Sequence, residues 1–224
     1  MEKVLQAYQL VGSYSRFFDR MMTNADLLSR LALKFFWGLD EVAHQKFLAQ
    51  AFAGIPENFS GRLLEVPVGT GVLSLPVYKN LDGAEIFCVD YSDKMLDAAR
   101  ARAEQMNLRG IKFIQGDVST LPFEDNFFDL VLSVSGFHVF PDKNSAWEET
   151  HRVLRRGGIF CGCMYVKGEN ARTDFFAEKF CDRQGFFCPP HETLSSLQRR
   201  LEQKYSRVEV SHVESFAGFK ARRN

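Results

Sequence analysis

From Arg62 onward the chain alternates between short apolar runs and helix-forming segments, and this alternation restricts the fold more than any other feature. The runs are RLLEV at 62–66, AEIFCVD at 84–90, IKFIQGD at 111–117, FDLVLSVS at 128–135 and GGIFCGCMYV at 157–166. Each is rich in β-branched or aromatic residues, and segments between them, such as SDKMLDAARARAEQMN, carry helix formers and capping residues. Strands separated by helices predict a parallel sheet covered on both faces, an α/β architecture of the doubly wound kind. With 224 residues, 46% of them hydrophobic, the chain can bury such a core as one structural domain.

Both ends depart from the alternation. Residues 1–58 lack strand-like runs and place Leu27, Leu28, Leu31, Leu33, Phe35 and Phe36, then Val42, Phe47, Leu48 and Phe52, at helical spacing. This predicts an N-terminal helical segment that caps a domain spanning 59–224. After Val166 come two helical stretches, roughly 171–184 and 191–204, separated by Cys188-Pro189-Pro190. The chain then closes with SRVEVSHVES and FAGFKARR, which read as an antiparallel hairpin turning near Ser215.

The 28 basic and 28 acidic side chains cancel, so no summed field draws in nucleic acid or an anionic membrane unless charge is concentrated locally. The short tail Lys220-Ala221-Arg222-Arg223 is too small to count. No apolar run reaches the roughly 18 residues of a membrane span, and the N-terminus with Glu2 and Lys3 is unlike a signal peptide. The expectation is a cytoplasmic protein with a small-molecule partner, no nucleic acid and no membrane span. Five cysteines, at 88, 161, 163, 181 and 188, form no paired CxxC pattern with histidines at ligand distance. Cys161 and Cys163 would share one strand face, and all five read as reduced core residues with no metal.

The stretch EVPVGTGVLS, residues 65–74, carries the first chemical signal. Gly69 and Gly71 follow a predicted strand and open a helical segment, where close approach of a ligand or a positive φ calls for glycine. Read as a dinucleotide turn, the pattern puts Ser74 at the third glycine position, and Glu65 lies just upstream. A carboxylate there opposes a pyrophosphate, which helix N-termini otherwise favour, and suits a ligand with a cationic head. Asp90 closes the second predicted strand, where an acid can accept from ribose hydroxyls, and Asp117 closes the third. The plainer reading is that such acids, or Ser92, merely cap the helices that follow.

Together LLEVPVGTG, IFCVDYSDKML, IKFIQGDVSTLPFEDNFFDLVLS and EETHRVLRRGGIF resemble the class I S-adenosylmethionine-dependent methyltransferases over roughly residues 60–166. The closest likeness is to the ubiquinone and menaquinone biosynthesis C-methyltransferase group, through LPFEDNFFD and RVLRRGG. The resemblance implies a Rossmann-like seven-stranded sheet, mostly parallel with an antiparallel last strand, and S-adenosyl-L-methionine as cofactor. It implies that Glu65, Gly69 and Gly71 line the methionine end, that Asp90 holds the ribose, and that Tyr91 or Met95 flanks the adenine. Asp117 and Val118 would meet the adenine edge, Ser133 would complete the site, and Tyr14 would belong to an N-terminal cover. Pro67 departs from the glycine often found there. It lacks an N–H and fixes φ, so the turn should be stiffer and offer one donor fewer.

Methyl transfer from a sulfonium is an in-line displacement that needs positioning and exclusion of water, and a base only where the acceptor must lose a proton. His138, in SVSGFHVFPD just past the fourth strand, is the candidate base. It reads equally as a loop plug among Phe137, Val139 and Phe140. The 22 phenylalanines either fill core or line a pocket between the N-terminal helices and residues 167–190, and in the second case the acceptor is apolar or aromatic. Three functions stay open on the sequence: small-molecule methyl transfer, a catalytically idle binding module of the same fold, and a dinucleotide-dependent oxidoreductase.

Overall fold

The structure, a computed structural model, describes residues 19, 20 and 22–224. Two helices lead in, α1 (Leu27–Trp37) and α2 (Glu41–Phe52), capped by the carboxylates of Asp26 and Asp40. Gly38 ends α1 in the left-handed conformation. The alternating core follows as β1 (Gly61–Glu65), α3 (Leu75–Tyr78), β2 (Ala84–Asp90), α4 (Asp93–Gln105), β3 (Lys112–Gln115), β4 (Phe128–Val134), α5 (Lys143–Val153) and β5 (Leu154–Tyr165). Then α6 (Ala171–Phe176) runs through a π-helical stretch (Ala177–Cys181) into a last turn (Asp182–Gln184). The chain ends with α7 (Leu194–Glu202), β6 (Tyr205–Val213) and β7 (Phe216–Arg223).

The seven strands form one sheet in the order β3-β2-β1-β4-β5-β7-β6. β7 lies antiparallel between β5 and β6, and the other neighbouring pairs are parallel. The predicted parallel sheet with an antiparallel last strand is therefore present, and the terminal hairpin supplies the exception. One boundary differs from the sequence reading. β5 begins at Leu154 rather than at Gly157, because Leu154 pairs with Phe128 before the register shifts and resumes at Ile159 with Leu130. The glycines that look like a strand start lie inside an irregular strand instead.

Period-two alternation divides the sheet between two cores. Leu64, Phe87, Val89, Val131, Phe160 and Met164 face Trp147 of α5 and Leu197 and Leu201 of α7. On the opposite face, Leu63, Ile86, Cys88, Leu130 and Cys161 meet Leu75 and Tyr78 of α3 and Leu96 and Ala99 of α4. A third cluster extends this second face, where Leu33, Trp37, Phe47 and Ala51 of α1 and α2 pack on Cys163, Tyr165 and Phe216. The N-terminal helices thus join the sheet over β5, β7 and β6, where the Gln50 amide also donates to the Phe216 carbonyl. Cys161 and Cys163 share the predicted face. All five cysteines are buried and carry no disulfide.

Candidate functional site

In an open parallel sheet, ligands bind at the carboxyl ends of the strands where the order reverses, which here lies between β1 and β4. Val66 leaves β1 while its N–H still donates to Leu132, and Val68 donates to Val89, so the loop stays anchored to both neighbouring strands. Gly69 (φ 56°) and Gly71 (φ 67°) then turn the chain toward α3. A side chain at Gly71 would strike Leu75, whereas nothing lies within 4 Å of the place a Cβ would take at Gly69. Gly71 serves packing, and Gly69 faces open space in which a ligand can lie against the backbone.

Asp90, at the end of β2, is buried. Its Oδ2 accepts from the Gly69 N–H at 2.8 Å and its Oδ1 from the Ser92 N–H at 2.9 Å. Burial raises its pKa to about 6, partly offset by those backbone donors. Capping of α4 falls to Ser92, whose hydroxyl accepts from Met95 N–H, so Asp90 is left to hold the glycine turn. An ionised carboxylate offers about four acceptor positions, and two backbone donors leave room for a pair of hydroxyls.

Glu65 sits differently from the sequence expectation. Its carboxyl group is buried within the α3 face, accepts from the Tyr78 hydroxyl at 2.8 Å and from the Cys88 thiol, and has its pKa pushed up to about 8 by burial. At neutral pH it is mostly protonated and presents no charge to the turn. Alternation along β1 explains this placement: Glu65 shares the parity of Leu63, which points under α3.

Ser133, near the end of β4, is fully buried with its hydroxyl unpartnered. A Cβ at Gly136 would lie 2.5 Å from both Ser133 Oγ and Pro67 Cδ, so the glycine lets the loop after β4 close onto the loop after β1. Pro67 packs there rather than standing free at the turn. Asp117 caps the short 3₁₀ turn Val118–Thr120 by accepting from the Ser119 N–H at 2.8 Å and its hydroxyl at 2.7 Å, while Val118 is buried. Tyr91 is 47% exposed and Met95 is buried behind it in sequence. Tyr14 lies outside the described residues.

His138 is enclosed by Phe187, whose ring centroid lies 4.4 Å away, and its Nδ1 accepts from the Tyr165 N–H at 3.0 Å. The proton of the neutral ring is then on Nε2, and neither nitrogen offers a free lone pair. Burial, with His191 and Lys143 nearby, drives its pKa well below the usual histidine value. This is the geometry of the loop plug, not of a base poised for an acceptor. The aromatic residues at the proposed pocket are likewise packed: Trp37 touches Phe176, Phe187 and Phe216.

Three residues not singled out in the sequence complete the turn. Asp19 accepts from the Thr70 hydroxyl at 2.5 Å and from Arg102 at 2.6 Å, and Arg102 also donates to the Thr70 carbonyl. An N-terminal carboxylate and an α4 guanidinium thereby clasp the residue between the two glycines. A threonine between glycines and an arginine in a helix carry no signal by themselves, since the contact joins positions 83 residues apart.

The residues present suit an adenosyl ligand without phosphates: open backbone at Gly69, a carboxylate at Asp90 with unused acceptor capacity, and the orphaned Ser133 hydroxyl. Comparison with known proteins agrees with this chemistry. Residues 64–162 match the family described as a methyltransferase domain. The chain is 36% identical over 141 residues, 63% of its length and 60% of the relative's, to demethylmenaquinone methyltransferase of Thermus thermophilus. It is 34% identical over 117 residues, 52% of its length and 33% of the relative's, to a 2-methyl-6-phytyl-1,4-hydroquinone methyltransferase of Oryza sativa. The chain thus spans less than two thirds of each of these relatives. A Thermotoga maritima structure described as a methyltransferase, possibly acting on histamine, superposes with a TM-score of 0.71 at 18% identity, covering 97% of this chain and all of the other, which speaks to fold alone. Over residues 64–162 the chain carries a methyltransferase domain. It is also 30% identical over 165 residues, 71% of its length and 63% of the relative's, to the ubiquinone/menaquinone biosynthesis C-methyltransferase of Rickettsia prowazekii. The dinucleotide reading finds no support.

Proposed function

We propose that the protein transfers a methyl group from S-adenosylmethionine to a small apolar aromatic acceptor of the quinol type. The observation that carries the cofactor half is Asp90, whose buried carboxylate bridges the glycine turn and the start of α4 with acceptor positions to spare. The acceptor half rests on the relatives, which by name act on demethylmenaquinone and on a phytyl hydroquinone.

Bound S-adenosylmethionine supplies an electrophilic methyl group on sulfur. Asp90 would accept from the ribose hydroxyls, the Gly69 backbone would let the ligand lie close, and Ser133 would donate or accept at the mouth of β4. Asp117 keeps its oxygens engaged with Ser119 and would meet the adenine edge only at its remaining acceptor positions. What these residues contribute is orientation and exclusion of water. With His138 committed to the Tyr165 backbone, the reading assigns no base, and the acceptor loses its proton to solvent or enters already ionised.

The deciding measurement is S-adenosylhomocysteine formation, followed by mass spectrometry of the acceptor, with a panel of reduced quinones differing in tail length. A product heavier by one methyl group on a ring carbon supports the reading. Tight cofactor binding with no product on any quinol would reject the acceptor class.

A further inference from the structure

We propose that the exposed face formed by α1 and α6 docks the protein on an anionic bilayer surface. The inference does not depend on the methyl-transfer reading. α1 has two apolar faces. Leu33 and Trp37 are buried against the sheet, while Leu27, Leu28, Leu31 and Phe35 are between 57% and 73% exposed. At about 100° per residue the exposed four occupy an arc of only about 100°, so they form one stripe rather than scattered apolar residues. Phe175 on α6 and Phe180 on its π-helical continuation, also exposed, extend it, and the Phe36–Phe176 ring contact at 4.3 Å joins this helix to α1.

Charge states which surface this face suits. The segment from Leu27 to Trp37 contains no acid, and Arg30 and Lys34 border its apolar stripe. On α6 and its continuation, the acids are already engaged: Asp174 with the Tyr165 hydroxyl and Gly168 N–H, Glu178 with Lys167, Asp182 with His191. Arg172 lies over the Phe35 ring, and among the described residues no carboxylate forms an ion pair with Arg30, Lys34, Lys179 or Arg183. Apolar side chains bordered by unpaired cations fit lipid tails below and anionic headgroups around them. A second copy fits poorly, because a two-fold interface on this face would set its cations against each other. Whole-chain neutrality conceals the patch, since the balancing acids lie elsewhere.

The test is co-sedimentation of the full chain with phosphatidylcholine vesicles, with and without phosphatidylglycerol, at low and high salt. Binding that requires phosphatidylglycerol, weakens with salt, and falls about 10-fold or more in Arg30→Glu/Lys34→Glu supports the proposal. Leu28→Ser/Leu31→Ser should lose binding on the same vesicles while keeping a melting temperature close to wild type, since both side chains are more than half exposed. No sedimentation with anionic vesicles overturns the proposal, as does equal binding by both double variants. A concentration-dependent dimer that Phe35→Ser dissociates, with no vesicle binding, assigns the face to a second copy instead.

Discussion

The Tyr78 hydroxyl donates a 2.8 Å hydrogen bond to Glu65 Oε2 inside the apolar cluster between the sheet and α3. The pair turns an acid that the sequence places beside a cationic ligand into a buried, mostly protonated group whose pKa is about 8. The folded state therefore holds a proton that the unfolded chain releases above about pH 4.5.

Stability of the ligand-free protein should accordingly fall as pH rises. A raised carboxyl pKa contributes fully below the unfolded value and is lost as pH climbs through the folded one, here between about 4.5 and about 8. The loss should be on the order of 5 kcal/mol. Glu65→Gln, neutral at every pH, should flatten the thermal midpoint across this window. A midpoint that still declines as steeply in the variant assigns the slope to other groups.

Asp90→Asn removes the charge and sets an amide N–H against one of the two backbone donors, Gly69 or Ser92. Cofactor affinity should drop by roughly 2 kcal/mol, about 30-fold, because two charge-assisted bonds to ribose become neutral ones. Calorimetric affinity within twofold of wild type would take Asp90 out of the ribose site.

His138→Ala should behave as a packing change. It leaves the Tyr165 N–H without its partner and a void against Phe187, at a cost of about 2–3 kcal/mol. The turnover rate per folded molecule should stay near wild type, with no rising limb near pH 6.5 to lose. A rate loss of roughly 100-fold at unchanged stability would restore His138 as a base.

The clasp on Thr70 should show as coupling. Asp19→Asn and Arg102→Gln should each loosen the glycine turn and lower cofactor affinity by about 1 kcal/mol, and the double variant should cost little more than either alone. Additive losses would mean that the two side chains act separately.

Local pattern determined the elements: the β-type runs became strands, Ser92 and Asp26 cap the helices they precede, and Asp90 stands at the ligand end of β2. These features follow from period, propensity and capping, which act over a few residues. The direction of the Glu65 carboxyl, the commitment of His138 Nδ1 to Tyr165, the closure of Pro67 on Gly136 and the clasp of Asp19 with Arg102 were decided only by tertiary structure. Each joins residues between 13 and 83 positions apart, or fixes which side of a strand meets solvent. The cationic apolar face belongs with them, because charges that cancel along the chain separate in space once Asp174 and Asp182 are turned to Tyr165 and His191 while Arg30 and Lys34 of α1 stay exposed.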